Sequence, residues 1–370
     1  MLNLDRTTLD LDVDIAIEPE FDFRSEAYRI LFATASGAPF QAPLWQAMMH
    51  ERLLQPLNAR QQTLTVRSRD GGTLLAVVPL VLQKSRGISL LQAADFGLCD
   101  SNTAVGAPRI LEALAKTPSV PERITKLTRG ADLFLYRKVR SDGFDAGRLF
   151  GDVGSSSAEN SAYHLDIDED FSHWRRRTIS RSFSKELGRL GRQLETEHGA
   201  YETRLAATAD EVHAAFDFLK TARDGQFDDD LLFTPVYFDF YRSYAVAALA
   251  TGEAATYVST LAGTPVAVLF GLQSDGNFHA VQLGHDASRF GKFSLGSQII
   301  YRTVQLRHEQ GHRVLDMGLG NTGYKSHFRA EETPLHHYSR ADSLAGLAVN
   351  TIYTRAKPLK NWLKRLTPVR

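Results

Sequence analysis

The sequence predicts an α/β fold of two tandem domains, each a mixed, mainly antiparallel sheet with flanking helices. Three observations predict it. The chain has 370 residues, room for two domains of roughly 150 residues each with sizeable cores. Its composition, 43% hydrophobic and 23% charged, is that of a soluble globular protein. Its halves share a pattern: helices, three short apolar strands joined by tight turns, one or more helices, then a further strand. The strands are Thr63–Arg67, Leu74–Leu82, Ile88–Ala93 and then Asp132–Val139 in the first half. In the second they are Ala255–Leu261, Pro265–Gln273, Asn277–Leu283 and then Arg313–Met317. Asp70-Gly71-Gly72, Ala262-Gly263-Thr264 and Ser274-Asp275-Gly276 are the hairpin signals between them.

Composition also excludes. Lys+Arg and Asp+Glu both number 43, so no global field recruits nucleic acid, and DNA is not an expected partner. The single cysteine, Cys99, rules out an internal disulfide and a cysteine-rich metal site. His336 and His337 alternate across a strand and are poor joint ligands, so no metal is expected. The first twenty residues lack a signal-length apolar run, and no stretch approaches the ~20 apolar residues of a membrane span. A cytoplasmic protein is the expectation.

In order, residues 1–20 form a tail or an edge strand, and residues 21–150 the first domain. Helices are expected over Ser25–Thr34, from Pro39–Trp45 to about Leu53, and over Arg109–Ala115 and Pro121–Leu127. The serine-rich run Gly151–Ala158 is the best linker in the chain, giving a linker over 151–161 and a second domain over 162–341. That domain opens with a strand, Tyr163–Ile167, and one long helix over Phe171–His198. The helix has an apolar line (Trp174, Phe183, Leu187, Leu190, Leu194) and a basic remainder that includes Arg175, Arg176, Arg181 and Arg192. Strand Tyr201–Leu205 and helix Ala209–Arg223 lead to the acidic loop Asp224–Asp230. Thr234-Pro235 starts the next helix. After the meander, Pro334–Ala341 is a last strand, and a basic amphipathic tail occupies 342–370.

One stretch stands apart. After the strand ending at Leu283 comes Gly291-Lys292-Phe293-Ser294-Leu295-Gly296-Ser297, opening a helix. A turn there aims free N–H groups and the positive end of the helix dipole at one spot, which suits a phosphate. Gly296 lets a ligand reach the backbone, Ser294 caps the helix or binds a phosphate oxygen, and Lys292 adds charge. Equally, strand-to-helix geometry alone accounts for glycine and serine. The turn is neither GxxxxGK[ST] nor GxGxxG. Only the second half has it.

The chain resembles the Gcn5-related N-acetyltransferase (GNAT) superfamily, and within it the CelD-like acetyltransferases, relatives of the tandem Fem-type aminoacyltransferases. The residues that carry the resemblance are the Trp174 helix with its arginines, Ser294-Leu295-Gly296, Asp316-Met317-Gly318-Leu319-Gly320, and Tyr324-Lys325 followed by Phe328. Phe40–Trp45 and Val78-Pro79-Leu80 match the family's first domain. Leu295 and Met317 stand where relatives have Pro and Phe. The resemblance covers most of 40–340. It implies acyl-CoA as co-substrate, with its pyrophosphate on Lys292, Ser294, Leu295, Gly296 and Ser297 and its pantetheine along Asn277–Leu283. It implies an amine acceptor, an amino sugar, amino acid or glycan precursor, and a place in polysaccharide or envelope synthesis. An aminoacyl-tRNA or acyl carrier protein donor, or a binding protein that has lost catalysis, are the alternatives.

On that reading His285, Asp316 and Tyr324 are the catalytic candidates. His285 has the side chain whose pKa suits a base near neutral pH, against a solvated loop histidine. Asp316 is a base, a ligand for the amine, or an acceptor for loop N–H groups. Tyr324 is the acid for the leaving thiolate or a packed aromatic. At least two of the three are expected to share one pocket. Asp228 and Asp229 of the acidic loop, with Asn321 and Lys325, are the candidates for acceptor binding; Lys325 would bind a phosphate or pair with a carboxylate.

Overall fold

Pro79 has no N–H to give a ladder, and there the chain leaves one sheet for another. Leu74–Val78 pairs in a three-stranded sheet and Leu80–Ser85 in a six-stranded one, so the expected strand Leu74–Leu82 is two. The computed structural model describes residues 12–35, 39–85, 87–226, 230–320 and 323–352. In chain order it runs β1 (Val13–Glu18), α1 (Glu26–Thr34), α2 (Pro43–Leu53), β2 (Ala59–Gln61), β3 (Thr63–Ser68), β4 (Leu74–Val78), β5 (Leu80–Ser85), β6 (Ile88–Ala93), α3 (Pro108–Lys116), α4 (Ser119–Leu127), β7 (Leu133–Arg140) and β8 (Gly154–Ser157). It continues with β9 (Ala162–Asp166), α5 (Phe171–Thr178), α6 (Arg181–His198), β10 (Tyr201–Leu205), α7 (Ala209–Ala222), α8 (Pro235–Thr251), β11 (Ala254–Leu261), β12 (Thr264–Ser274) and β13 (Asn277–His285). It closes with α9 (Ala287–Phe290), α10 (Leu295–Glu309), β14 (Val314–Leu319), α11 (Gly323–His327), β15 (Glu331–Thr333), β16 (Leu335–Ala341) and α12 (Leu344–Thr351).

The chain divides into two units, Met1–Glu159 with Pro334–Arg370, and Asn160–Thr333. In the first, the sheets run β1-β3-β4 and β2-β5-β6-β7-β16-β8. This corrects two expectations. The last strand, expected in the second domain, pairs with β7 and β8 of the first unit's sheet, because Tyr338 buries its ring in that core. Gly147 leaves the room: a Cβ there would stand 2.3 Å from the Tyr338 ring. The serine-rich run expected as a linker is in part β8, an edge strand exposed along its length. The basic tail beyond residue 352 and the first eleven residues lie outside the described residues.

In the second unit one sheet runs β10-β11-β12-β13-β14-β9-β15. Helices α7 and α8 cover one face, where Phe216 and Tyr241 pack on Phe270 of β12. Helix α10 covers the other. There the fully buried Arg307 lies 5.2 Å from the Phe278 ring and donates to Gly276 O and Gln273 Oε1, tying the helix to the β12–β13 hairpin. The expected single helix over 171–198 is α5 and α6. It breaks because Ile179 buries its side chain in extended backbone, while Ser180 accepts from Phe183 N–H and restarts the helix.

Candidate active site

β13 and β14 run parallel but pair only over Asn277–His279 and Val314–Asp316. Beyond that they part, and β13 continues alone on that side to His285. On its other side β13 stays paired with β12, with one irregularity. Phe270 lies opposite Gln282 and Gly271 opposite Ala280, so Val281 is an extra residue, a β-bulge at the mouth of the fork. Gly271 makes it possible: a Cβ there would meet His279 O at 2.3 Å. Past the bulge, Asp286 N–H bonds Val266 O. By antiparallel alternation Leu283 then turns its backbone groups away from β12, toward the fork. The Leu283 carbonyl accepts from Arg223 Nη1 at 2.7 Å, and Arg223 Nε donates to the buried Asp230 at 2.7 Å. Asp230 is therefore the structural member of the acidic loop. Asp228 and Asp229 lie outside the described residues.

The two faces of the fork carry different chemistry. His279 and Asp316 face α7 and α8, because their register partners alternate with the core residues Phe278 and Leu315 on the α10 face. Both are buried, with His279 Nδ1 3.5 Å from Asp316 Oδ1. The same oxygen accepts Gly318 N–H at 2.8 Å, which fixes the carboxylate at the strand's end. Gln282 shares that face, and its buried Oε1 has no hydrogen-bond partner. Across the sheet His164 lies opposite both Asp316 and Glu331, and ligand atoms of His164, Asp166 and Glu331 fall within 4.8 Å of one another.

His285 is on the α10 face. Its ring lies where a Gly296 Cβ would be 3.1 Å from Cδ2 and 3.3 Å from Nε2, and its Nδ1 is buried without a partner. Burial pushes its pKa below the usual histidine value, with the Asp286 carboxylate pulling weakly the other way. The positive end of α10 also disfavours an imidazolium. Of the three catalytic candidates, His285 and Asp316 are not brought together. They face opposite sides of the sheet, and His285 lies six positions along β13 from Asp316's neighbour His279, about 20 Å of strand. The bulge, which changes the alternation, is what the sequence did not disclose.

The turn before α10 opens that helix, as expected. Ser294 sits in left-handed backbone, φ 53°, and makes no side-chain cap. Its carbonyl takes the N–H groups of Ser297 and Gln298, so the amides of Leu295 and Gly296 stand at the open end of the helix. The Leu295 side chain and Ser297 are buried. Lys292 pairs with Glu197 at 2.9 Å and lies 4.6 Å from the Phe293 ring centroid. Lys325, expected to meet a phosphate or a carboxylate, donates to Gly318 O at 2.9 Å and Leu319 O at 2.8 Å, buried beside the Tyr163 ring. It holds the end of β14. Tyr324 is half-buried against the unit's core. Asn321 lies outside the described residues. His279 and Gln282 were missed, since a parallel register and a bulge, both non-local, bring them to the fork.

Residues 181–326 match a family model described as an acetyltransferase (GNAT) domain. No curated protein matches the sequence. The fold is similar to that of FemX, at 11% identity over 88% of this chain and 97% of that one, with a TM-score of 0.59. It is similar to L-PGS from Bacillus licheniformis, at 12% identity over 93% and 98%, TM-score 0.55. A conserved protein of unknown function from Bacteroides thetaiotaomicron VPI-5482 gives 12% identity over 88% and 99%, TM-score 0.56. Such identities speak for the fold: the chain carries a fold similar to that of FemX, and most of its second unit, residues 181–326, matches the GNAT domain model.

Proposed function

We propose that the second unit moves an acyl group from a coenzyme A thioester to an amine, with the fork between β13 and β14 at its centre. The observation that carries this reading is the parting of the two strands beside the Val281 bulge. It leaves backbone N–H groups out of the ladder, where a thioester carbonyl can be polarised. The donor pyrophosphate lies on the amides of Leu295 and Gly296, with His285 neutral beside it and Lys292 and Ser294 at the rim. The pantetheine follows Leu283. The amine arrives on the opposite face. His279, its Nδ1 held toward Asp316, takes the amine proton on Nε2. The N–C bond forms, the C–S bond breaks, and the leaving thiolate takes a proton from the Tyr324 hydroxyl. Gln282 Oε1 accepts from the amine, and Asp228 and Asp229 attract it by charge. The acceptor class is an amino sugar, amino acid or glycan precursor, in a cytoplasmic route to envelope polysaccharide.

Turnover tests it, with acetyl-CoA as donor, glucosamine and amino acids as amines, and thiol release as the readout. His279→Gln should lower kcat about 100- to 10,000-fold with acetyl-CoA affinity unchanged, the signature of a lost base. Tyr324→Phe should lower kcat in the same way. Full turnover in His279→Gln would remove the base from this face of the sheet.

A further inference from the structure

We propose that the groove between α6 and α10 is a second anion site, which takes a phosphate-bearing small molecule away from the open end of α10. The groove encloses about 190 Å³, the liquid volume of about six waters, enough for a phosphate and part of its body. Arg175, Arg192 and Arg302 line it with one carboxylate, Glu195, so positive charge is in excess. Arg175 is held in place, donating to Ser184 Oγ at 2.7 and 3.0 Å with its guanidinium 5.9 Å from the Tyr301 ring centroid. Among the described residues neither Arg192 nor Arg302 is in an ion pair. Guanidinium forks match phosphate oxygens, and the Tyr301 face suits an attached ring. Arg302 is seven residues along α10 from Leu295, about 10 Å from the helix start.

The second observation is a pair of glycines. Gly188 and Gly191 lie inside α6 and line the groove. Neither has positive φ. A Cβ on Gly188 would come no closer than 3.5 Å to Arg192 Nη1, and one on Gly191 no closer than 3.4 Å to Gln298 Nε2. Backbone and packing would both accept alanine, the better helix former. Two glycines that the fold does not require are two methyl groups kept out of the groove, which is what a ligand lying against the helix backbone needs.

Calorimetric titration with inorganic pyrophosphate tests the proposal in protein carrying Gly296→Glu, which closes the end of α10. Binding should persist there. Adding Gly188→Ala and Gly191→Ala should weaken it at least tenfold while raising the melting temperature by a few degrees, and Arg302→Gln should weaken it about tenfold. Loss of pyrophosphate binding in Gly296→Glu alone would overturn the proposal. So would unchanged binding in the double alanine variant. If the two alanines weakened coenzyme A binding in parent protein as much as pyrophosphate binding, the groove would be part of the donor site, and the claim of a separate site would fail.

Discussion

Each unit contains a fork, and the two differ in the path the chain takes after the strand that makes it. In the first, β6 pairs in parallel with β7 over Leu90–Gln92 and Leu133–Leu135, three pairs, like β13 with β14. There the chain turns back into its own fork. Asn102 donates through its backbone N–H to Lys138 O at 3.0 Å and through Nδ2 to Arg137 O at 2.9 Å, filling the edge β7 leaves open. The buried Asp95 takes Gly97 N–H at 3.0 Å, Asn102 Nδ2 at 3.0 Å and Arg137 Nη2 at 3.2 Å, with Lys138 Nζ 4.0 Å away. In the second unit β13 runs on to His285, and the chain spends the next residues on a turn that opens a helix. Sheet topology alone therefore does not make a ligand site. One fork is closed by a polar network and holds the unit together; the other keeps its edge for something else.

The largest expected effect falls on the closed fork. Burial alone would raise the Asp95 carboxyl, but Arg137 and Lys138, with the bonds from Gly97 and Asn102, hold it below the usual value. Asp95→Asn leaves two cations without their carboxylate and should cost about 3–5 kcal/mol, read as a lower urea midpoint. Because the folded pKa is depressed, the contribution of Asp95 is complete above the ordinary carboxylate pKa and fades as pH falls through the lower folded value. A midpoint like that of the parent would mean that the network only fills space.

A histidine sharpens the contrast. Burial pushes His50 of α2 down to about 4, against a bond from its Nδ1 to Gln46 O. The native ring stays neutral where the unfolded one protonates, so stability should fall as pH drops from about 6.5 toward 4, by roughly 3 kcal/mol. His50→Gln should flatten that part of the stability profile; an unchanged slope would assign it to other groups. Smaller again is Gly271→Ala, which pushes a Cβ into His279 O and should cost about 1–3 kcal/mol. It should also lower turnover in protein that is still folded, because the bulge moves. Stability lost with turnover intact would separate the bulge from the chemistry.

Local signals made much of the second unit legible. The meander and β14 fall within a few residues of their expected bounds, since Gly263, Gly276 and alternating apolar residues mark them, and α10 opens at the turn where a helix is expected. Two misses had local signals as well: Pro79 between two strands, and Ser180 after the β-branched Thr178-Ile179. The rest was non-local. Nothing in Gly154–Ser157 names β16 as its partner, and nothing in His279 names Asp316. Nothing in the neighbourhood of Lys325 announces the two β14 carbonyls on its ammonium. The geometry of the candidate site was thus legible at the turn before α10, where a turn and a helix start are contiguous, and opaque on the face where two strands meet.

The central claim is that only the open fork takes an acyl donor. Calorimetric titration of the whole chain with acetyl-CoA measures it directly. The account predicts one site per chain, abolished by Gly296→Glu and untouched by Asn102→Ala in the closed fork. Two sites per chain, or undiminished binding in folded Gly296→Glu protein, would contradict it.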